Sequence, residues 1–129
     1  MPKEIFYVGS KFEEDYGFSK AVKHNDTIYV SGSSGYNYQT NSISENSVEQ
    51  LKQAFENVES ALNHFGSDLN DLVQVQLFYS ADEVLEEIRD ELARIIKPSG
   101  TTLFALRADL PLPEFKIELL VTAGINEAA

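Results

Sequence analysis

Apolar residues recur along this chain with two different periods, and the switches between them mark its elements. Val48, Leu51, Phe55, Val58, Leu62 and Phe65 fall three and four residues apart, with Ala54 and Ala61 on the same side. This spacing predicts an amphipathic helix with one buried face. Ser47 with Gln50 fits a capping box at its start, and Gly66 stands just past its end. Residues 82–96 repeat the pattern through Leu85, Ile88, Leu92 and Ile95, with Val84 and Ile96 widening the stripe. Asp90 and Arg94 are spaced for an ion pair on that second helix, and Pro98 closes it.

Elsewhere the period is two or the chemistry is that of turns. Residues 2–8 read as a short strand and the polar, acidic residues 11–15 as a loop. Residues 18–23 and 27–31 flank His24-Asn25-Asp26 as a hairpin, and the run Ser31-Gly32-Ser33-Ser34-Gly35 ends it in a flexible loop. After a turn at 67–71 comes a strand over 72–79, with Val73, Val75, Leu77 and Tyr79 toward the helices and Gln74, Gln76 and Phe78 away. Strands over 101–106 and 115–122 follow, and in the last Ile117, Leu119 and Val121 oppose Lys116, Glu118, Leu120 and Thr122. The expected fold is α+β, a mixed sheet with two helices packed on one face. With no third helix to cover it, the half-apolar opposite face calls for a partner subunit. Residues 126–129 read as a short frayed tail.

Composition narrows the class. At 129 residues the chain reads as a single domain over 1–129, its tail starting at about 124, with room for a core. Its apolar runs fall well short of the roughly 18 residues of a membrane helix, no secretory leader is recognisable, and there is no cysteine, so a cytoplasmic protein is expected. Twenty-one acidic residues against ten basic give a net charge of −11, with the cations scattered. Nucleic acid is disfavoured as a partner, because phosphate binding needs a basic footprint.

Candidate chemistry is sparse. The two histidines, His24 and His64, read as a turn residue and a helix-end residue, and no metal-ligand spacing accompanies them. Ser31, Ser33 and Ser34 lack the turn motif of a serine nucleophile, and the glycines around them lack P-loop spacing. Glu118 stands out as a carboxylate central in a strand, either paired there or held ready for proton transfer. The polar turn Ser99-Gly100-Thr101-Thr102 is the second unusual feature.

The order FSKAV and strand, VSGSSG, a helix with ENVESAL, LNDLVQVQLFYS, a second helix, KPSGTT and PEFKIEL resembles the Rid family of YjgF-type reactive-intermediate deaminases over residues 16–123. That resemblance implies a chorismate-mutase-like fold and a homotrimer with intersubunit clefts for a small-molecule ligand. It also implies hydrolysis of 2-imino and 2-enamino acids to keto acid and ammonia, with no cofactor or metal. Glu118 matches the family glutamate that positions water, and Ser31 and Gly32 match its strand-end motif.

Three positions depart from the pattern. The arginine that holds the substrate carboxylate is replaced by Gly100, a tyrosine by Phe18, and a second-helix asparagine by Arg89. The segment with Thr101 and Thr102 resembles subgroups that lack this arginine. Losing such a charge-assisted pair costs roughly 1.5 to 3 kcal/mol, so turnover of ordinary 2-imino acids should be weak or absent. Arg89 is one replacement anchor, and Arg107 a poorer one. The expected activity is hydrolysis of a small imine or enamine, with Glu118 orienting water and the amides near Ser31, Gly32 and Thr101 binding developing charge. The alternatives are a non-catalytic binding module, which a cleft closed by Phe18 and Phe104 would favour, and the ribonuclease activity also associated with the family, which the acidity opposes.

Overall fold

The alternation read in the last strand organises the whole sheet. In β8 (Ile117–Gly124), Ile117, Leu119, Val121 and Ala123 are buried on one face, while Glu118, Leu120 and Thr122 take the other. The computed structural model describes residues 2–125, so the tail expected over 126–129 lies outside the described residues. β8 pairs antiparallel with β3 (Thr27–Ser34) on one side and β6 (Leu72–Tyr79) on the other. β2 (Ala21–His24) and β1 (Glu4–Phe6) extend the sheet past β3, and β7 (Thr102–Arg107) extends it past β6. Only β6 and β7 run parallel, because a helix carries the chain back between them.

That helix is α3 (Asp82–Ile96), and with α2 (Ser47–His64) it covers the buried face. Leu51, Phe55, Val58 and Leu62 of α2 and Ile88 and Leu92 of α3 close over Val75, Leu77, Leu119 and Val121. The result is the expected mixed sheet with two helices on one face, a chorismate-mutase-like α+β fold. No helix among the described residues is long and apolar enough to cross a membrane. The opposite face is uncovered, with Leu120, Phe104 and Leu106 between 40% and 57% exposed.

Several local expectations are corrected. Residues 11–15 are not a loop but most of a short helix, α1 (Lys11–Tyr16), opened by a capping box between Ser10 and Glu13 and ended by Gly17 in the left-handed region. The cap of α2 is Asn46, whose side chain accepts from the Glu49 amide; Ser47 instead donates to Glu87. Gln50, expected to complete that cap, is fully buried and serves as a clasp. Its amide nitrogen donates to the carbonyls of Ser44 (2.7 Å) and Glu114 (2.9 Å), and its oxygen accepts from the Lys116 amide at 2.9 Å.

The run at 31–35 is not a flexible loop. β3 continues through Ser34, interrupted between Val30 and Ser33 by a bulge. Beyond it the hairpin β4 (Tyr36–Asn37) and β5 (Ser42–Ile43) folds off separately. A second irregularity between Leu72 and Gln74 turns Val73 out to solvent and puts Leu72 into the core position expected of it. The expected pair between Asp90 and Arg94 does not form either: Arg94 pairs with Glu91, one helical step closer.

Candidate active site

The bulge in β3 and the centre of β8 meet at Glu118. Ser34 stands opposite Glu118 in the ladder, and of the two residues displaced by the bulge, Ser31 and Gly32, Gly32 lies against its carboxyl. A β-carbon at residue 32 would overlap Glu118 Oε2, so glycine is what admits the carboxyl there. On the other side of β8, Phe78 faces Glu118, with Leu106 of β7 in the same row.

A buried lysine lies within electrostatic reach of Glu118. Lys20 precedes β2, and its backbone is held on both sides, its N–H donating to Phe6 O at 2.9 Å and its carbonyl accepting from the Ser31 N–H at 2.8 Å. The residue is 7% exposed, and Nζ donates to the buried Ser33 hydroxyl at 2.6 Å. Ser33 Oγ donates in turn to Ser31 O, and Ser31 Oγ to Ser19 O. Glu13 of α1 is also buried and accepts from the Val8 amide and from the amide and hydroxyl of Ser10.

These groups act on one another. Burial lowers the Lys20 ammonium to a pKa of about 8, against the opposing attraction of Glu13 and Glu118. Burial likewise raises the Glu118 carboxyl, and the positive charge of Lys20 restrains the rise. Burial tends to raise Glu13 too, but the hydrogen bonds from Ser10 and Val8 outweigh it and hold the carboxyl low. The phenol of Tyr38, at 5.0 Å centroid distance from the Tyr36 ring, is raised first by burial and then by Glu13, Tyr36 and Glu118. A half-buried carboxylate raised by burial, within the field of an amine lowered by it, is suited to accepting and returning a proton.

Not every residue expected at the site joins it. Gly32 does and Ser31 is its neighbour in the bulge, while Phe18 is 39% exposed, its amide on Glu13 O. The amides of Ser31 and Thr101 donate to Lys20 O and Ser99 Oγ, so neither is free to bind developing charge as expected. Thr102 stands in the row of Gln74 and Thr122, four residues along β7 from Leu106 and the Glu118 row. That places Thr102 about 13 Å along the strands and two strands, about 10 Å, across from Glu118. Within one chain, then, the turn bearing Gly100, Thr101 and Thr102 does not meet Glu118. Gly100 itself has φ of 69°, a left-handed conformation that disfavours any side chain there.

Arg89 is not brought to Glu118 either. It is exposed on α3, paired with Glu86 and Asp90, and the sheet separates that helix from the face that carries Glu118. Arg107 pairs with Asp82. His64 stacks on Phe6 at 4.2 Å. Two depressions in the surface of the single chain lie beside the β4–β5 hairpin and the 113–116 segment, not over Glu118.

Lys20, Ser33, Glu13 and Tyr38 were not legible as site residues. A lysine in a stretch otherwise read as a hairpin strand looks like a solvent-facing residue, since periodicity carries no signal for a buried charge. Only Ser10-x-x-Glu13 offered a local clue, as a capping signature.

Comparison with known proteins bears on the family and the fold. The family described as Endoribonuclease L-PSP matches residues 9–125. A RutC family protein of Aquifex aeolicus is 29% identical over 111 residues, covering 80% of this chain and 86% of that protein. A 2-iminobutanoate/2-iminopropanoate deaminase of Dermatophagoides farinae is 32% identical over 62 residues, 47% of this chain and 48% of that one. The crystal structure of a Mycobacterium tuberculosis member of the YjgF/YER057c/UK114 family superposes with a TM-score of 0.87 at 21% identity, over 96% of this chain and all of the other.

Proposed function

The chain belongs to the endoribonuclease L-PSP family, the YjgF/Rid-type proteins, and from that premise we propose that it hydrolyses a small imine or enamine without a cofactor, in clefts between the subunits of a homotrimer. The observation that carries this reading is Glu118, its half-buried carboxyl seated against the Gly32 backbone at the bulge and raised by that burial. In the proposed reaction Glu118 accepts a proton as water oxygen adds to the imine carbon, and the imine nitrogen is protonated. The carbon–nitrogen bond then breaks, ammonia leaves, the carbonyl compound forms, and the carboxylate is restored.

Two features support the intersubunit cleft. The uncovered sheet face carries Phe104, Leu106 and Leu120 in the open, a contiguous apolar group of the kind that marks a protein contact. The Gly100–Thr102 turn and Glu118 lie too far apart in one chain to share a small ligand, whereas the turn of a second copy could face Glu118. Turnover of ordinary 2-imino acids is expected to be weak or absent, because residue 100 offers no guanidinium.

The test couples the purified protein to flavin oxidases that release imines, from amino acids and from primary amines, with semicarbazide trapping the survivors. Wild type should lower the trapped fraction and Glu118→Gln should not. Equal trapping by the two proteins with every imine would sink the hydrolase reading. The second reading, a binding module without catalysis, draws on Gly100 and Phe18, which stand where the reaction would use side-chain donors. It would be favoured by ligand binding that survives Glu118→Gln with no turnover in either protein.

A further inference from the structure

We infer that Lys20 is a positioning residue for Glu118: it grips both ends of the β3 bulge and so fixes the Gly32 backbone on which the Glu118 carboxyl rests. This rests on the reading above, that Glu118 handles the attacking water; the tie itself stands on contacts within the chain.

A bulge is a weak place in a ladder, because its extra residues lose their partners on the neighbouring strand. Here the register of β3 against β8 shifts between Val30 and Ser33, and one displaced residue is glycine, the type least able to hold its own backbone angles. Bonds from outside the ladder must set where Gly32 sits. Ser31 is tied at three atoms: its N–H donates to Lys20 O at 2.8 Å, its carbonyl accepts from Ser33 Oγ at 2.9 Å, and its hydroxyl donates to Ser19 O at 2.7 Å. Ser33 is held by Lys20 again, whose Nζ donates to Ser33 Oγ at 2.6 Å. One residue thus holds both neighbours of Gly32, the first through its carbonyl and the second through its side chain. The directions agree, since Ser33 gives its one hydroxyl proton to Ser31 O and accepts Nζ on a lone pair. Lys20 is itself anchored: its N–H donates to Phe6 O at 2.9 Å, and it leads into β2, where Ala21 pairs with Phe6 on one side and Val30 on the other.

Stability alone does not call for a lysine here. The residue is 7% exposed and Ser33 1%, and an ammonium buried on a neutral hydroxyl weakens a fold relative to an apolar side chain of the same length. What the charge supplies is a short, strong bond at the place where precision matters. The Glu118 carboxyl fills the volume that a β-carbon of residue 32 would take, so a displacement of that backbone is passed on to the carboxyl. A shift of about 1 Å at a reacting group can lower turnover about a hundredfold.

The test uses Ser33→Ala, which keeps the lysine and removes its acceptor, and Lys20→Met, which keeps the length and removes the donor. In proton–nitrogen correlation spectra of the wild type, the Gly32 amide should shift as Glu118 titrates, and Glu118→Gln should abolish that response. Both tie variants should lose most of it. Above the acid limb, each should lower kcat for imine hydrolysis at least about tenfold with KM changed less than about threefold. Lys20→Met should keep at least the wild-type urea midpoint. The double variant should fall no more than about threefold below either single, because both break one tie. Additive losses, wild-type kcat in either variant, or a kcat loss in Lys20→Met that follows a loss of stability overturns the inference. So does a Gly32 amide that ignores Glu118, or that responds in the variants as in the wild type. If the wild type hydrolyses no imine, the hydrolase reading falls, and the Gly32 response alone decides for or against Lys20.

Discussion

Gly32 and Glu118 occupy one space: the carboxyl of Glu118 fills the volume in which a β-carbon of residue 32 would sit. The obstructing atom is the far end of a flexible side chain, and residue 32 is outside the left-handed region. Gly32→Ala should therefore fold with a stability within about 1 kcal/mol of wild type. By displacing the carboxyl it should reduce imine hydrolysis at least tenfold. Denaturant titration beside the trapping assay checks both, and full activity in Gly32→Ala would separate Glu118 from the chemistry.

Gly35 contrasts with Gly32, since there the obstruction is backbone. A β-carbon at residue 35 would come within 2.5 Å of Gln50 O and 2.6 Å of its Cα, and helix α2 cannot yield. Gly35→Ala should lose about 3 kcal/mol. Gln50→Leu should lose a similar amount, about 3 kcal/mol, by leaving the Ser44 and Glu114 carbonyls and the Lys116 amide unpaired. Urea midpoints with an unchanged slope would measure both, and a loss below 1 kcal/mol in either would contradict these contacts.

Lys20 makes stability depend on alkaline pH. In the folded chain its pKa is about 8, against 10.5 ordinarily. Below pH 8 the amine is charged in both states and the full cost of burying it, about 3 kcal/mol, is present. Between 8 and 10.5 the unfolded chain binds the extra proton, so this contribution to stability rises with pH, and above 10.5 the cost is gone. The difference in unfolding free energy between wild type and Lys20→Met should climb through that window. Parallel curves would show that Lys20 is not held in a desolvated place.

The same amine should shift the acid limb of the proposed hydrolysis. Glu118 titrates above the usual carboxylate range because of burial, and Lys20 opposes that rise. Hydrolysis that needs the carboxylate form should fall as pH drops through this raised value. In Lys20→Met the acid limb of kcat/KM should move to still higher pH. An unmoved limb, or one displaced downward, would mean that Glu118 and Lys20 do not sense each other.

Phe104 tests the assembly. It is 57% exposed on the uncovered face, in the row of Gln76 and Leu120. Sedimentation of wild type should give the mass of three chains, and Phe104→Asp should shift it toward one, since a buried unpaired charge is costly at an interface. A wild-type protein that sediments as a single chain would remove the intersubunit cleft.

How much of this was legible in the sequence varied with the physics. The alternation of Ile117, Leu119 and Val121 against Glu118 and Leu120 survives intact, as does the second helix over Asp82–Ile96, because burial of a repeating face is a summed signal. The helix at Lys11–Tyr16 was hidden, since six residues hold too few apolar positions to show a period. Val73 was misplaced and Ser31–Gly35 misread because a bulge changes the count by one without leaving a mark in composition. Lys20 escaped notice for a different reason: the groups it bonds to or senses, Ser33, Glu13 and Glu118, come from three other elements.

The Gln50 clasp has a bearing on how this protein could be altered. The segment between β7 and β8 is tied at both ends: Ala108 N–H donates to Tyr79 O, while the Lys116 amide is taken by Gln50 and its carbonyl by the Ser80 amide. Glu118 begins two residues past the second tie. Residues 109–113 can thus be lengthened, shortened or exchanged between relatives as an independent cassette, with β8 and its Glu118 keeping their register.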